Sequence, residues 1–298
     1  MSFEILQGNC TEVLKTLPDN FFQCCVTSPP YWQQRDYGHE DQLGLEESPW
    51  EFIDNLVEVF KEVYRVLKDD GILWLNINDS FTISGKNGGV DNWKKEQHQK
   101  WKQNTNKGSQ IKPQMKVPEG LKRKELCGIP WRLAIRLQEE VGFYLRTEII
   151  WNKIANMPDS VTDRPTRAHE YIFLLTKSEK YYYDYEASKI LGKGGQKVNL
   201  RSVWDVNKSM GYSDGENHYA TYPEELILPC INISTKEGDW VLDPFNGSGT
   251  TGKVALQKGR HYKGIDLNEE YIKIATKRLE KAQKDWENKK SGEEIFEW

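Results

Sequence analysis

Nowhere in the 298 residues is there a run of about 18 apolar residues, the length a helix needs to cross a bilayer. Met1 to Asn20 also lacks the apolar segment of a secretory signal. A soluble, cytoplasmic protein with no membrane partner is expected. Cysteine is sparse. Cys10, Cys24, Cys25, Cys127 and Cys230 are odd in number and scattered, with no Cys-x-x-Cys pair, which fits neither a disulfide framework nor a zinc knuckle. Reduced, mostly buried thiols and no metal site are expected. Histidine is scarce too, and no Gly-x-Ser-x-Gly elbow surrounds Ser28, so an acyl-transfer nucleophile is disfavoured.

What is present is ordinary globular material, 37% hydrophobic and 29% charged, enough for one large core or two modest ones. The net charge of −4 argues mildly against nucleic-acid binding, but the charge is segregated. From Thr82 to Glu125 there are eleven Lys or Arg against four Asp or Glu, so this segment carries +7 and the remainder −11. The same segment is Gly- and Asn-rich without hydrophobic periodicity and reads as a long inserted loop of about 82–125.

The chain opens with β-α-β logic: a strand at Phe3 to Gly8, a helix from Cys10 to Leu17 and a strand from Phe21 to Val26. Apolar residues at 52, 53, 56, 57, 60, 63, 64 and 67 give a helical stripe from Trp50 to Leu67, which Asp69-Asp70-Gly71 is expected to end before a strand at Ile72 to Ile77. A helix from Pro130 to Val141 and strands at Tyr144 to Trp151 and Tyr171 to Leu175 follow, then an irregular region of about 152–217. From Pro223 the alternation resumes: helix, strand Trp240 to Asp243, glycine-rich turn, helix to Lys258, strand Tyr262 to Asp266 and a charged helix from Glu269. Such alternation implies an α/β fold with a mainly parallel, twisted sheet and helices on both faces.

Two loops stand out. In Thr27-Ser28-Pro29-Pro30-Tyr31-Trp32, two prolines stop a core strand and stiffen the backbone just before two aromatics. In Asp243-Pro244-Phe245-Asn246-Gly247-Ser248-Gly249-Thr250-Thr251, between strand and helix, the glycines permit a tight turn and close approach of a ligand to the helix's first free amides. Asp266 ends the next strand 19 positions after Gly247, near the spacing of a carboxylate that accepts ribose hydroxyls; a helix N-cap is its alternative role. The loop has neither a Gly-x-Gly-x-x-Gly nor a Gly-Lys-Ser/Thr pattern, which favours a cofactor without phosphates.

Together these two stretches resemble the amino-methylating DNA methyltransferases of the β arrangement, in which the catalytic half precedes the cofactor half. Further similar stretches are Arg35-Asp36-Tyr37-Gly38, Leu73 to Ser80, Gly128-Ile129-Pro130-Trp131-Arg132, Asp163 to Tyr171 and His218 to Pro223, spanning Gly8 to Leu279. The resemblance implies one catalytic domain over 1–298, a Rossmann-like methyltransferase fold with circularly permuted motif order, and target recognition by the basic insertion and the irregular region. It implies S-adenosylmethionine as cofactor, held by Asp243, Phe245, Asn246, Gly247, Ser248, Gly249, Thr250 and Asp266, with His218 and Tyr222 nearby. It implies double-stranded DNA as partner, with a cognate restriction endonuclease and a homodimer left open.

In this reading Ser28, Pro29, Pro30 and Tyr31 are catalytic. An amine inside a duplex is reached only by flipping its base out, at a cost of a few kcal/mol. Stacking on Tyr31, assisted by Trp32, returns about 1–3 kcal/mol. The Ser28 hydroxyl and Pro29 carbonyl would accept the amine hydrogens and aim its lone pair at the methyl. Serine at the first position favours N4 of cytosine; N6 of adenine is the alternative. Arg35, Lys122, Arg123, Lys124, Arg164 and Arg167 are expected near DNA, although Arg164 and Arg167 suit internal ion pairs equally well. Attack at cytosine C5 would need a cysteine, and Pro229-Cys230 lies in an apolar, helix-like run. His169 is expected to make structural hydrogen bonds. A nicotinamide dehydrogenase leaves Ser28 to Trp32 unexplained, and a non-catalytic DNA-binding module leaves the cofactor loop unexplained.

Overall fold

A computed structural model of the chain describes residues 1–82, 117–154, 161–192, 194–207 and 222–291. Strand β1 (Phe3–Gln7) leads to helix α1 (Cys10–Lys15), started by the Asn9 side chain, which accepts from the Thr11 amide at 2.9 Å. Strand β2 (Phe22–Thr27) is buried at all six positions, as a strand covered on both faces must be. Helix α2 (Pro49–Val66) has Ser48 as N-cap and Pro49 in its first turn, and buries the expected stripe from Phe52 to Val63.

Strand β3 (Leu67–Ile77) starts directly from α2. The expected stop at Asp69-Asp70-Gly71 is therefore a strand irregularity: Phe22 pairs with Leu67 and Cys24 with Ile72, so β3 carries extra residues between them. The helix expected over Pro130 to Val141 is α3 (Ile129–Arg136) followed by one widened turn, Leu137–Val141, before Gly142 at φ +94°. Strands β4 (Tyr144–Asn152), β5 (His169–Thr176), β6 (Lys189–Leu191), β7 (Lys197–Asn199) and β8 (Val203–Asp205) follow. The chain then alternates through α4 (Glu224–Ser234), β9 (Trp240–Asp243), α5 (Thr250–Gln257), β10 (His261–Asp266) and α6 (Glu269–Ser291).

Eight strands form one sheet in the order β1-β10-β9-β2-β3-β5-β4-β8. All its pairings are parallel except those of β5, which runs antiparallel to both neighbours. Two apolar layers sandwich it, one holding Phe22, Phe52, Phe60 and Leu133, the other Trp74, Ile227, Val254 and Leu279. The fold is the α/β architecture expected from the alternation, a mainly parallel sheet covered on both faces, with the last-third strands β9 and β10 seated between β1 and β2. From β9 the chain crosses to β10 on one side, while β2 crosses to β3 on the other, so a crevice opens where the two directions diverge.

Because β5 runs backwards, it carries the chain to the amino edge of the sheet. There Lys177 donates to the Leu67 carbonyl at 2.9 Å, Tyr182 to Asp70 at 3.1 Å and Asp184 to Ile233 at 2.8 Å. The chain then returns to the carboxyl end of β4, where the Ile150 amide donates to the Ser202 carbonyl at 2.8 Å and β8 pairs with Ile150 to Asn152. The basic insertion leaves and returns at one point on the carboxyl edge, where the Thr82 amide donates to Glu125 at 2.9 Å and Phe81 bridges Leu126. Its residues 83–116 lie outside those described. Among the described residues no helix is long and apolar enough to cross a membrane.

Candidate active site

At the crevice, the ends of β2 and β9 are bolted together. The Thr27 hydroxyl donates to Asp243 Oδ1 at 2.6 Å; the Phe245 amide donates to the same oxygen at 3.1 Å, and the Tyr222 hydroxyl to Oδ2 at 3.1 Å. Tyr222 also bonds Thr251, whose hydroxyl returns to the Val26 carbonyl at 3.2 Å. Burial pushes the Asp243 carboxyl up to about 6, and the donors around it pull the other way. A cavity of about 760 Å³ opens in front of this joint. Ser28, Pro29, Pro30, Tyr31, Asn76, Lys153 and Glu170 line one side; Phe245, Asn246, Gly247, Ser248, Thr250, Asp266 and Tyr222 line the other. Ser28 and Gly247 therefore face one space.

On the Gly247 side, the turn is held from both ends. The Gly247 amide donates to Asp266 Oδ2 at 2.7 Å, and Asn268 donates to Oδ1 at 2.9 Å. The N-cap role is filled by Asn268, whose side chain accepts from the Glu270 amide at 2.9 Å, leaving Asp266 facing the cavity. Burial pushes its carboxyl up to about 6. Tyr262 fixes Asn246 at 2.8 Å and Arg278 fixes Ser248 at 2.8 Å. Gly249, at φ +77°, has no room for a side chain: a Cβ would sit 2.8 Å from Leu279 and 3.0 Å from Ala275. Gly249 and Asp243 shape the loop from behind and do not line the cavity. Helix α5 begins with no side-chain cap, so its first amides are open to a ligand. A carboxylate at the end of β10, a glycine turn and no phosphate cradle fit a nucleoside-type cofactor.

On the Ser28 side, the serine hydroxyl donates to Tyr31 Oη at 3.3 Å, and Tyr31 donates to Glu170 Oε2 at 2.6 Å with Asn76 Oδ1 at 3.2 Å. Burial, with the Glu170 charge behind it, holds the Tyr31 phenol well above its ordinary range, so it is a neutral donor. Lys153 pairs with Glu170 in the interior. Asn76, Lys153 and Glu170 were given no role by the sequence; the one signal was that Asn76 and Glu170 fall within stretches resembling the family.

Trp32 is placed otherwise than expected. It is 2% exposed, lies in the apolar layer with Phe52 and Leu56, and donates to the Glu46 carbonyl at 3.0 Å. An indole enclosed this way props the loop and presents no face to DNA. Arg35 lines the cavity. Lys122, Arg123 and Lys124 are exposed where the basic insertion returns and do not line the cavity, Lys124 pairing with Asp163 at 2.6 Å. Arg164 stacks over Phe81 at 4.0 Å, and Arg167 approaches Asp79 at 3.8 Å, the internal pairing that was its alternative. His218 lies outside the described residues. His169 packs edge-on against Tyr171. Cys230 is enclosed in α4, its thiol pushed up by burial, and does not reach the cavity. Among the described residues no cluster of His, Cys, Asp or Glu could hold a metal.

The chain is similar to the Type II methyltransferases M.Cfr9I of Citrobacter freundii, 51% identical over 93% of this chain and 87% of that protein, and M.SmaI of Serratia marcescens, 46% identical over 93% and 91%. Its fold matches the PvuII DNA methyltransferase (cytosine-N4-specific) with a TM-score of 0.68 at 19% identity, covering 97% of this chain and 92% of that one. It also matches a putative DNA modification methylase of Thermus thermophilus, solved with S-adenosyl-L-methionine, with a TM-score of 0.60 at 25% identity over 95% and 96%. The N6/N4 methyltransferase family model, described as DNA methylase, matches residues 22–277, and this chain belongs to that family.

Proposed function

We propose that the chain is a site-specific DNA methyltransferase that moves a methyl group from S-adenosylmethionine to the N4 amine of cytosine in duplex DNA. The observation that carries this reading is the cavity shared by Ser28 and Gly247, with their strands locked by the Thr27–Asp243 hydrogen bond. When bound, S-adenosylmethionine supplies an electrophilic methyl on a sulfonium. Asp266 would accept from the ribose hydroxyls, and the Phe245 to Ser248 turn would hold the nucleoside. Tyr31 receives the flipped base on its ring, offsetting the few kcal/mol of unstacking. The Ser28 hydroxyl and the Pro29 carbonyl accept the amine hydrogens and turn the nitrogen lone pair toward the methyl. Positioning of this kind supplies much of the rate, because the reacting atoms are already aligned.

Ser28 at the head of the tetrapeptide carries the choice of cytosine. Arg35, at the cavity, and Lys122 and Arg123, exposed where the basic insertion returns, are suited to phosphates. The relatives' description as Type II methyltransferases supports a restriction–modification setting, with a cognate endonuclease that reads the same DNA sequence. The test is to incubate the protein with labelled S-adenosylmethionine and unmethylated DNA and identify the modified nucleoside by mass spectrometry. N4-methylcytosine is expected; N6-methyladenine overturns the choice of base, and unlabelled DNA overturns methyl transfer.

A further inference from the structure

Holding an amine on Ser28 leaves Glu170 and Lys153 without a task, although both are enclosed at the cavity wall. A buried ion pair of this kind contributes little net stability, so its presence calls for another explanation. The hydrogen bonds in front of it all point one way. Ser28 Oγ donates to Tyr31 Oη, and Tyr31 Oη donates to Glu170 Oε2, while Lys153 engages the other oxygen, Oε1. Ser28 Oγ thus keeps its lone pairs for a hydrogen on the substrate amine. Asn76 Oδ1, the competing acceptor for Tyr31, is the more distant, and an amide oxygen is too weak a base to keep a proton.

We propose that Ser28, Tyr31 and Glu170 form a proton relay that drains the amine as it is methylated. The bond from nitrogen to the methyl carbon forms from the nitrogen lone pair as the carbon–sulfur bond breaks, leaving the amine one proton in excess. That proton passes to Ser28 Oγ while the serine proton passes to Tyr31 Oη and the tyrosine proton to Glu170 Oε2. The product amine is neutral, Ser28 and Tyr31 are unchanged in composition, and Glu170 holds the proton until the site reopens to water. Without this exit a positive charge would develop close to Lys153 in a low-dielectric cavity, where repulsion is strongly felt. The inference rests on the amine being seated at Ser28 and not on which base carries it.

The test uses Tyr31→Phe, which keeps the ring and removes one oxygen, and Glu170→Gln, which keeps the shape and removes the base. Single-turnover transfer of labelled methyl to DNA is measured at saturating S-adenosylmethionine, with the affinities for DNA and S-adenosylmethionine measured separately. Each variant is expected to lose roughly 100-fold or more in rate, the usual reach of general-base assistance, while both affinities stay within about threefold of wild type. The double variant is expected to be no slower than the slower single one, because both cut the same chain. Transfer within about threefold of wild type in either variant, or losses that multiply in the double variant, overturns the relay. If Glu170→Gln does not fold with Lys153 left unpaired, Glu170→Gln/Lys153→Met replaces it, and Tyr31→Phe decides by itself in either case. Mass spectrometry of the wild-type product runs alongside: N6-methyladenine there overturns the cytosine assignment and leaves the relay standing.

Discussion

Thr27, the last residue of β2, donates its hydroxyl to Asp243, the last residue of β9, at 2.6 Å across 216 positions of sequence. That bond registers the Ser28 to Tyr31 loop against the Phe245 to Ser248 turn. Thr27→Val keeps the shape and removes the donor from a buried carboxylate, so it is expected to cost about 1–3 kcal/mol of unfolding free energy. Denaturant titration measures this cost, and Thr27→Ser should recover most of it.

The glycines of the cofactor turn should separate by function. Gly249→Ala places a Cβ against Leu279 and Ala275 at φ +77°, so it is expected to destabilise the fold by roughly 1–3 kcal/mol. A Cβ on Gly247 meets only the Phe245 carbonyl, at 4.0 Å, and projects beside the cavity. Gly247→Ala is therefore expected to weaken S-adenosylmethionine binding with a smaller loss of stability, as calorimetry and melting curves on both variants will show.

Asp266 predicts the pH dependence of cofactor binding. Its carboxyl is raised from 3.8 to about 6 by burial, and only the ionised form keeps an acceptor lone pair on each oxygen for ribose hydroxyls beside the Gly247 and Asn268 amides. Affinity should therefore hold above pH 7 and fall by roughly tenfold between pH 7 and pH 5 as the group protonates. Asp243 is also raised to about 6, so the control is Asp266→Asn, which should bind more weakly and lose most of the slope. Titrations across that range check both statements.

Trp32→Ala should act on the fold and not on DNA. Truncating a tryptophan enclosed in the core costs about 3–5 kcal/mol, whereas loss of an exposed stacking platform would weaken DNA affinity at unchanged stability. Melting curves and DNA titration of the same variant distinguish the two.

Much of the site was legible because proline and glycine write backbone geometry directly into the sequence. The Ser28-Pro29-Pro30-Tyr31 stop and the Gly247 turn needed no tertiary knowledge, and the stripe from Phe52 to Val63 announced α2. Glu170 and Lys153 were not legible, because each is one polar residue at the end of an ordinary strand and their pairing depends on β5 running antiparallel beside β4. No local pattern records strand direction, and the same reversal carries Lys177 to Asp184 to the amino edge. Asp69-Asp70-Gly71 has turn composition, yet pairing with β2 holds it in the sheet. Trp32 looked like Tyr31 in sequence; only the packing of α2 separates the buried ring from the one at the cavity.

The most direct measurement is single-turnover methyl transfer by Ser28→Ala, with DNA and S-adenosylmethionine affinities determined on the same preparation. Seating of the amine at Ser28 predicts a rate lowered by about 100-fold or more, with both affinities within about threefold of wild type. Transfer at the wild-type rate would contradict the account.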